Sequence, residues 1–292
     1  MRTLSILLFF FLSSSVYSQN LPACWEELTA SDFTLAVKKS EGVCVIPIGV
    51  MEKHGQQLPL GTDVYTAREI CRRAAAKEYC IIFPYYFVGQ IIEAKHQPGT
   101  VAYSPEMLTK FLEETCNEIS RNGIKKIILV NTHGGNNAFL QYFCQIQLES
   151  PRDYAVYAIT PSVNQETLKK INGLRKSTTG GHADEVETSA MMVVRPDLVK
   201  INRATNESGD NLNQLQQLPY VNTGIRWYSQ YPNHYAGDAK DAKPEIGEIS
   251  LEGRSQQVIE IIKAVKADQA TIRLQNEFYQ ESEAPNSTKA KK

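Results

Sequence analysis

The chain has 292 residues, 42% of them apolar and 22% charged, with a formal net charge of −1. That composition excludes a disordered or fibrous chain. Its near-neutral balance gives no reason to expect nucleic acid or a membrane surface as a partner.

The first residues read as a targeting segment. Arg2 supplies a positive n-region, Leu4 to Leu12 a short apolar core, and Val16-Tyr17-Ser18 a small-residue cleavage site. A signal peptide over residues 1–18 is expected, and with it export to a periplasm or the outside medium, with no membrane contact after cleavage. The apolar run is too short for a comfortable membrane span. None of the six cysteines has CxxC spacing, so a zinc ribbon is not supported. Cys71 with Cys80 is one conceivable disulfide, but most of the six read as small buried hydrophobes.

Gly42 to Gly49 (GVCVIPIG) is a continuous apolar run with β-branched residues, which predicts a buried strand. Val64 to Lys77 has helical periodicity. Cys80 to Phe83 predicts a short strand ended by Pro84. Ser104 is a good N-cap and Pro105 suits the first helical position, so a helix runs from there to about Arg121, ended by Gly123. Lys126 to Val130 (KIILV) predicts a second buried strand, followed by a helix over Asn136 to Leu148. Tyr154 to Ile159 predicts a further strand, and Glu185 to Val194 a short helix stopped by Pro196. Asn202 to Gly247 is irregular, and a loop that long in a compact domain is usually functional or mobile. A long helix is expected over Ser255 to Phe278, and residues 284–292 read as a disordered polar tail. Strands alternating with helices imply an α/β fold with a mostly parallel sheet covered on both faces. One domain over residues 19–283 is expected.

Three clusters carry chemistry. Glu52-Lys53-His54-Gly55 follows the first strand directly, and Asp63 returns after a loop held by Pro59 and Gly61. Residues two apart in extended chain point to one side, so Glu52 and His54 can face one point. Sites in open α/β sheets form outside the carboxyl ends of the strands, and carboxylates with imidazoles there suit a zinc- or manganese-type ion. The second cluster, Asn131-Thr132-His133-Gly134-Gly135-Asn136, follows KIILV. Its glycines allow close backbone approach, and Asn136 can cap the next helix. In the third, Gly180 to Ser189, Asp184 looks like an N-cap with Glu187 at capping-box spacing. His182 would sit in the loop before that helix and Glu187 in its first turn.

Together EKHGQQLPLGTD, NTHGGN and GGHADEVETSAMMVVRPDLV resemble, in order and spacing, the signature of the creatininase (creatinine amidohydrolase) family. The Gln97-Pro98-Gly99-Thr100 stretch beside His96 is similar to the family's PGT segment. The resemblance covers about residues 40 to 265. It implies a three-layer α/β/α sandwich, a homo-oligomer, commonly a hexamer, and a site for two divalent ions, zinc or manganese, with iron also admitted. By the same resemblance Glu52, His54, Asp63, His133 and Glu187 are metal ligands, with Asp63 bridging. His182 takes the place of a catalytic proton-transfer residue. His96, Gly134, Gly135 and Asn136 are candidates for binding substrate, whereas His234 reads as surface. The implied activity is hydrolysis of an amide, lactam or formamide bond in a small molecule, by hydroxide drawn from metal-activated water. A peptidase acting on short peptides is the alternative, and a metal-free binding protein is the non-enzyme alternative.

Two departures argue against creatinine as the substrate. Creatininase carries a carboxylate ligand where this chain has Gly135, and it has lid tryptophans where the stretch from Asn164 to Gly181 has none. Other branches of the family deformylate amines or trim peptides.

Overall fold

A computed structural model describes residues 21–219, 221–288 and 290; the expected signal peptide lies outside the described residues. The strands are β1 (Val43–Ile48), β2 (Ile81–Ile82), β3 (Lys126–Asn131) and β4 (Ala155–Ile159). The helices are α1 (Ala30–Lys39), α2 (Thr62–Lys77), α3 (Pro105–Arg121), α4 (Asn136–Ile146), α5 (Gln165–Leu174), α6 (Glu185–Val194), α7 (Arg226–Gln230), α8 (Pro244–Ala267) and α9 (Thr271–Ser282).

The strands form one parallel sheet in the order β2-β1-β3-β4. Alternate side chains of each strand leave on opposite faces. Val43, Val45, Ile128 and Val130 enter a core with Ile70 and Ala74 of α2, Ala190 of α6, and Leu251, Val258 and Ile262 of α8. Cys44, Ile46, Ile48, Ile127 and Leu129 enter the opposite core with Ala36 of α1, Leu108 and Leu112 of α3, and Leu140 and Phe143 of α4. This is the expected three-layer α/β/α sandwich, and it explains why β1 and β3 read as apolar runs: both faces are covered. Pro47 is tolerated in β1 because β2 pairs only with Cys44 and Val45 and stops short of it. All six cysteines are free thiols, five of them buried, so Cys71 and Cys80 form no disulfide.

The register sets Ile48 opposite Asn131. The carboxyl ends of β1 and β3, and the first two clusters beyond them, therefore lie side by side. Gly49 lets Asp63, at the start of α2, join them. A Cβ there would lie 2.5 Å from Val64 N and 2.7 Å from Asp63 Cβ, so only glycine lets the start of α2 close on the strand end.

The C-terminal region differs from expectation. The single helix over Ser255 to Phe278 is two helices, α8 and α9. Asp268 ends the first and its Oδ1 accepts from the Ala270 and Thr271 amides, which opens the second. Helix α8 also begins at Pro244, inside the segment read as irregular. Its Gly247, Ser250 and Gly253 resemble loop residues but serve packing: a Cβ on Gly247 would lie 2.0 Å from Ser189 O of α6. Gly247→Ala is therefore expected to destabilise the fold by about 1–3 kcal/mol through overpacking. A thermal melt reads this as a Tm lowered by several degrees, and an unchanged Tm would mean α6 and α8 can separate freely. Helices α1 and α5 add to the elements expected from the sequence. In the segment read as a polar tail, Pro285–Ser287 makes one 3-10 turn.

Candidate metal centre

The loop after β1 places Glu52 and His54, both fully buried. Asp63 stands in the first turn of α2, where the helix dipole favours a carboxylate. His133 follows β3 and is held there by Asn131, whose Oδ1 accepts from the His133 amide and whose Nδ2 donates to the His133 carbonyl. The third cluster opens α6. Asp184 caps the helix by accepting from the Val186 and Glu187 amides. Glu187 reaches back to the Ala183 amide, one residue before the cap, rather than to the cap residue itself.

These side chains converge. His133 Nδ1 lies 2.7 Å from Glu52 Oε1 and 3.3 Å from Asp63 Oδ2. His54 Nε2 lies 3.4 Å from Asp63 Oδ1 and 3.9 Å from Glu52 Oε1. Glu52, Asp63 and His133 form one group whose donor atoms all lie within 4.8 Å of one another; His54, His182 and Glu187 form a second.

Backbone carbonyls fix the rings. His54 Nδ1 faces the Glu52 carbonyl at 3.3 Å, His133 Nε2 the Gln90 carbonyl at 2.9 Å, and His182 Nε2 the Lys53 carbonyl at 2.8 Å. A carbonyl only accepts, so each of those nitrogens carries the proton and the other nitrogen keeps its lone pair. For His54 and His133 that lone pair is turned toward carboxylate oxygens. Glu52 Oε1, His54 Nε2 and Asp63 Oδ2 are buried and make no hydrogen bond. Buried lone pairs crowded in this way are costly unless a cation sits among them.

The electrostatics agree. Burial alone would lower the pKa of His54, but Asp63 and Glu52 outweigh it and hold it at about 10. His133 is also pushed up, burial again being outweighed by Glu52 and Asp63. Burial would raise Glu52, yet the surrounding His133, His182 and His54 hold it well below the usual carboxylate range. The pocket demands positive charge, and a divalent cation supplies it with the tautomers that the carbonyls impose. By contrast, burial and then His54 bring His182 down to about 3, which keeps it neutral. Burial raises Glu187 to about 7.

The centre opens into a cavity of about 1110 Å³, lined by Glu52, Asp63, His133, His182 and Glu187 at its floor. His96, Gly134 and Gly135 are in the wall, where Trp227, Tyr228 and Ile225 join them. Asn136 is not a wall residue and does not cap α4. It is fully buried, and its amide accepts from the Gln90 amide and donates to Asn131, so it steadies the carbonyl that orients His133. Glu93, which no sequence motif marks, lines the wall beside Gly135. A Cβ on residue 135 would lie 2.5 Å from His133 Nε2 and 2.7 Å from Glu93 Oε1. The space for a side chain at position 135 is thus already filled.

His234 corrects the reading as surface. It is 2% exposed, lines the cavity and hydrogen-bonds Glu52 Oε2 through Nε2. The irregular segment delivers it: His182 and Ala236 exchange backbone hydrogen bonds, and Lys53 Nζ donates to Glu207 at 2.7 Å and to the Asn233 carbonyl at 2.8 Å. No local motif marks His234, because its partner Glu52 is 182 positions away.

A parallel sheet with an imidazole–carboxylate cluster at its carboxyl ends defines a metal-binding α/β enzyme. The family model described as creatinine amidohydrolase matches residues 26–262. The chain belongs to the creatininase family and is a hydrolase acting on carbon–nitrogen bonds. It is 25% identical over 197 residues to creatinine amidohydrolase of Pseudomonas putida, covering 62% of this chain and 75% of that one. It is 29% identical over 133 residues to the mycofactocin precursor peptide peptidase of Mycobacterium tuberculosis, covering 42% of this chain and 52% of the peptidase, about half of its length. A solved structure named "Creatininase Mn" superposes with a TM-score of 0.71 at 21% identity, covering 84% of this chain and 99% of that one.

Proposed function

We propose that this chain is an exported amidohydrolase that uses two divalent ions to cleave an amide, lactam or formamide bond in a small molecule. The observation that carries the reading is the set of buried, bond-free donor atoms, Glu52 Oε1, His54 Nε2 and Asp63 Oδ2, aimed at common points. Glu52 and His133 would hold one ion, His54 and Glu187 the other, and Asp63 stands between them with one oxygen toward each histidine. Zinc or manganese suits this donor set, and iron is compatible with it. When bound, such ions acidify a water and polarise the scissile carbonyl.

The protein's own residues do the rest. His182 is neutral, with its Nε2 proton committed to the Lys53 carbonyl. Nδ1 is therefore the atom that takes a proton from the attacking water and passes it to the leaving nitrogen. The wall of Trp227, Tyr228 and Ile225 excludes bulk water and packs on apolar parts of the substrate. Two further parts of the proposal rest on other features. Export rests on the N-terminal segment, and self-association is supported by the exposed Tyr85, Met107 and Phe111 along one apolar cleft.

The similarity to a peptidase and the size of the cavity support a second reading, a metallopeptidase acting on short peptides. A panel of formamides, lactams, small amides and short peptides, with products identified by mass spectrometry, separates the two. Turnover confined to the small compounds is expected; cleavage confined to peptides would replace the first reading with the second.

A further inference from the structure

A third group, Glu52, His182 and His234, also has its donor atoms within 4.8 Å of one another. Proximity alone would make it another metal site, but the hydrogen bonds argue otherwise. Trp227 Nε1 lies 2.9 Å from His234 Nδ1. An indole N–H only donates, so His234 Nδ1 must accept and the ring proton must sit on Nε2. That Nε2 faces Glu52 Oε2 in a short contact. With one nitrogen accepting and the other donating, His234 has no lone pair left for an ion. His182 Nε2 is likewise committed to the Lys53 carbonyl.

We propose that Trp227, His234 and Glu52 form a positioning relay. Trp227 fixes the tautomer of His234, His234 holds Glu52 Oε2 by a donated hydrogen bond, and Oε1 is thereby turned to the ion. The two oxygens of Glu52 fit this division of labour. Oε2 is the one that meets His234, whereas Oε1 makes no hydrogen bond and lies nearest His133 and His54. The position is held from several sides. His234 adopts a left-handed backbone, φ 51°, which is uncommon for a residue with a side chain and persists where surrounding contacts over-determine it. Here those contacts are its amide to the Tyr231 carbonyl and the Lys53 tether on Asn233. Trp227 also lines the cavity, so the relay runs from the substrate wall to a metal ligand.

This inference rests on Glu52 being a ligand, and the test keeps the two apart. Protein labelled with ¹⁵N-histidine has only five imidazoles to resolve, and His234→Asn identifies the signal of His234. In the metal-free and the zinc-saturated wild type, the His234 signal is expected to show a proton on Nε2 and none on Nδ1. Zinc titration of His234→Asn should give unchanged stoichiometry with affinity weakened about 10–100-fold, the usual scale for groups that orient ligands. Trp227→Phe should weaken affinity in the same direction and mix the His234 tautomers. The double variant should bind zinc no more weakly than His234→Asn, since both act through one chain. Loss of the Nε2 proton on adding zinc, or loss of an ion in His234→Asn, would make His234 a ligand and overturn the relay. So would an unmixed tautomer in Trp227→Phe, whether or not zinc binds. A wild type that binds no zinc or manganese, yet keeps the Nε2 proton, would instead overturn the metal reading of Glu52 on which the relay's purpose depends.

Discussion

Glu52→Gln is expected to lower metal affinity by more than about 100-fold and to abolish turnover at ordinary metal concentrations, because removing a ligand costs more than removing a group that only orients one. Glu52 is fully buried and is the carboxylate on which His133, His182 and His234 all converge. His133, His182 and His54 hold its carboxyl well below the usual range against the cost of burial. Gln keeps the volume but removes the charge, and its amide N–H₂ would either take the place of Oε1, which faces the ion, or meet the proton on His234 Nε2. Circular dichroism of the variant should match the wild type, since the sheet and both apolar cores lie away from this side chain. A folded variant with full metal content and full activity would mean that Glu52 is only a buried partner of its histidines.

His182→Ala is expected to keep its metal and lower kcat by about 10²-fold or more, the ordinary scale for loss of acid–base catalysis. The ring packs between His54, tilted at 4.3 Å between centroids, and His234, edge-on at 4.6 Å, and its Nε2 proton is donated to the Lys53 carbonyl. Its surroundings keep it neutral, so it can take a proton at Nδ1 without competing with an ion for charge. Elemental analysis beside single-turnover kinetics separates the outcomes. Loss of an ion in His182→Ala would reassign the residue as a ligand of the His54 and Glu187 group.

Much of the fold could be read locally because its determinants are local. The strands β1 and β3 are bounded apolar runs, and Ser104-Pro105 announces α3; Ser104 accepts from the Met107 amide as an N-cap should. The gathering of Glu52, Asp63 and His133 follows from two blocks after two strands, provided that those strands are neighbours, and the register makes them so. What escaped the sequence depends on distant contacts. Gly247 looks like a helix breaker until Ser189 is seen against it. His234 and Trp227 sit in a segment of weak periodicity whose position is set by the pairing of Ala236 with His182 and by the Lys53 tether. Glu93 reaches the wall because Gly135 leaves room there, and nothing adjacent to Glu93 in sequence records that. Asn136 shows the converse: a plausible cap by sequence, it is fully occupied by Gln90 and Asn131.

The most direct test of the metal centre is the metal content per subunit of the purified protein and of Asp63→Ala, measured by elemental analysis after loading with zinc or manganese. Asp63 stands between the two histidines that turn lone pairs toward it, so the wild type should hold about two ions per subunit and the variant should lose most of both. A wild type that takes up no ion, or an Asp63→Ala variant that retains two, would contradict the account.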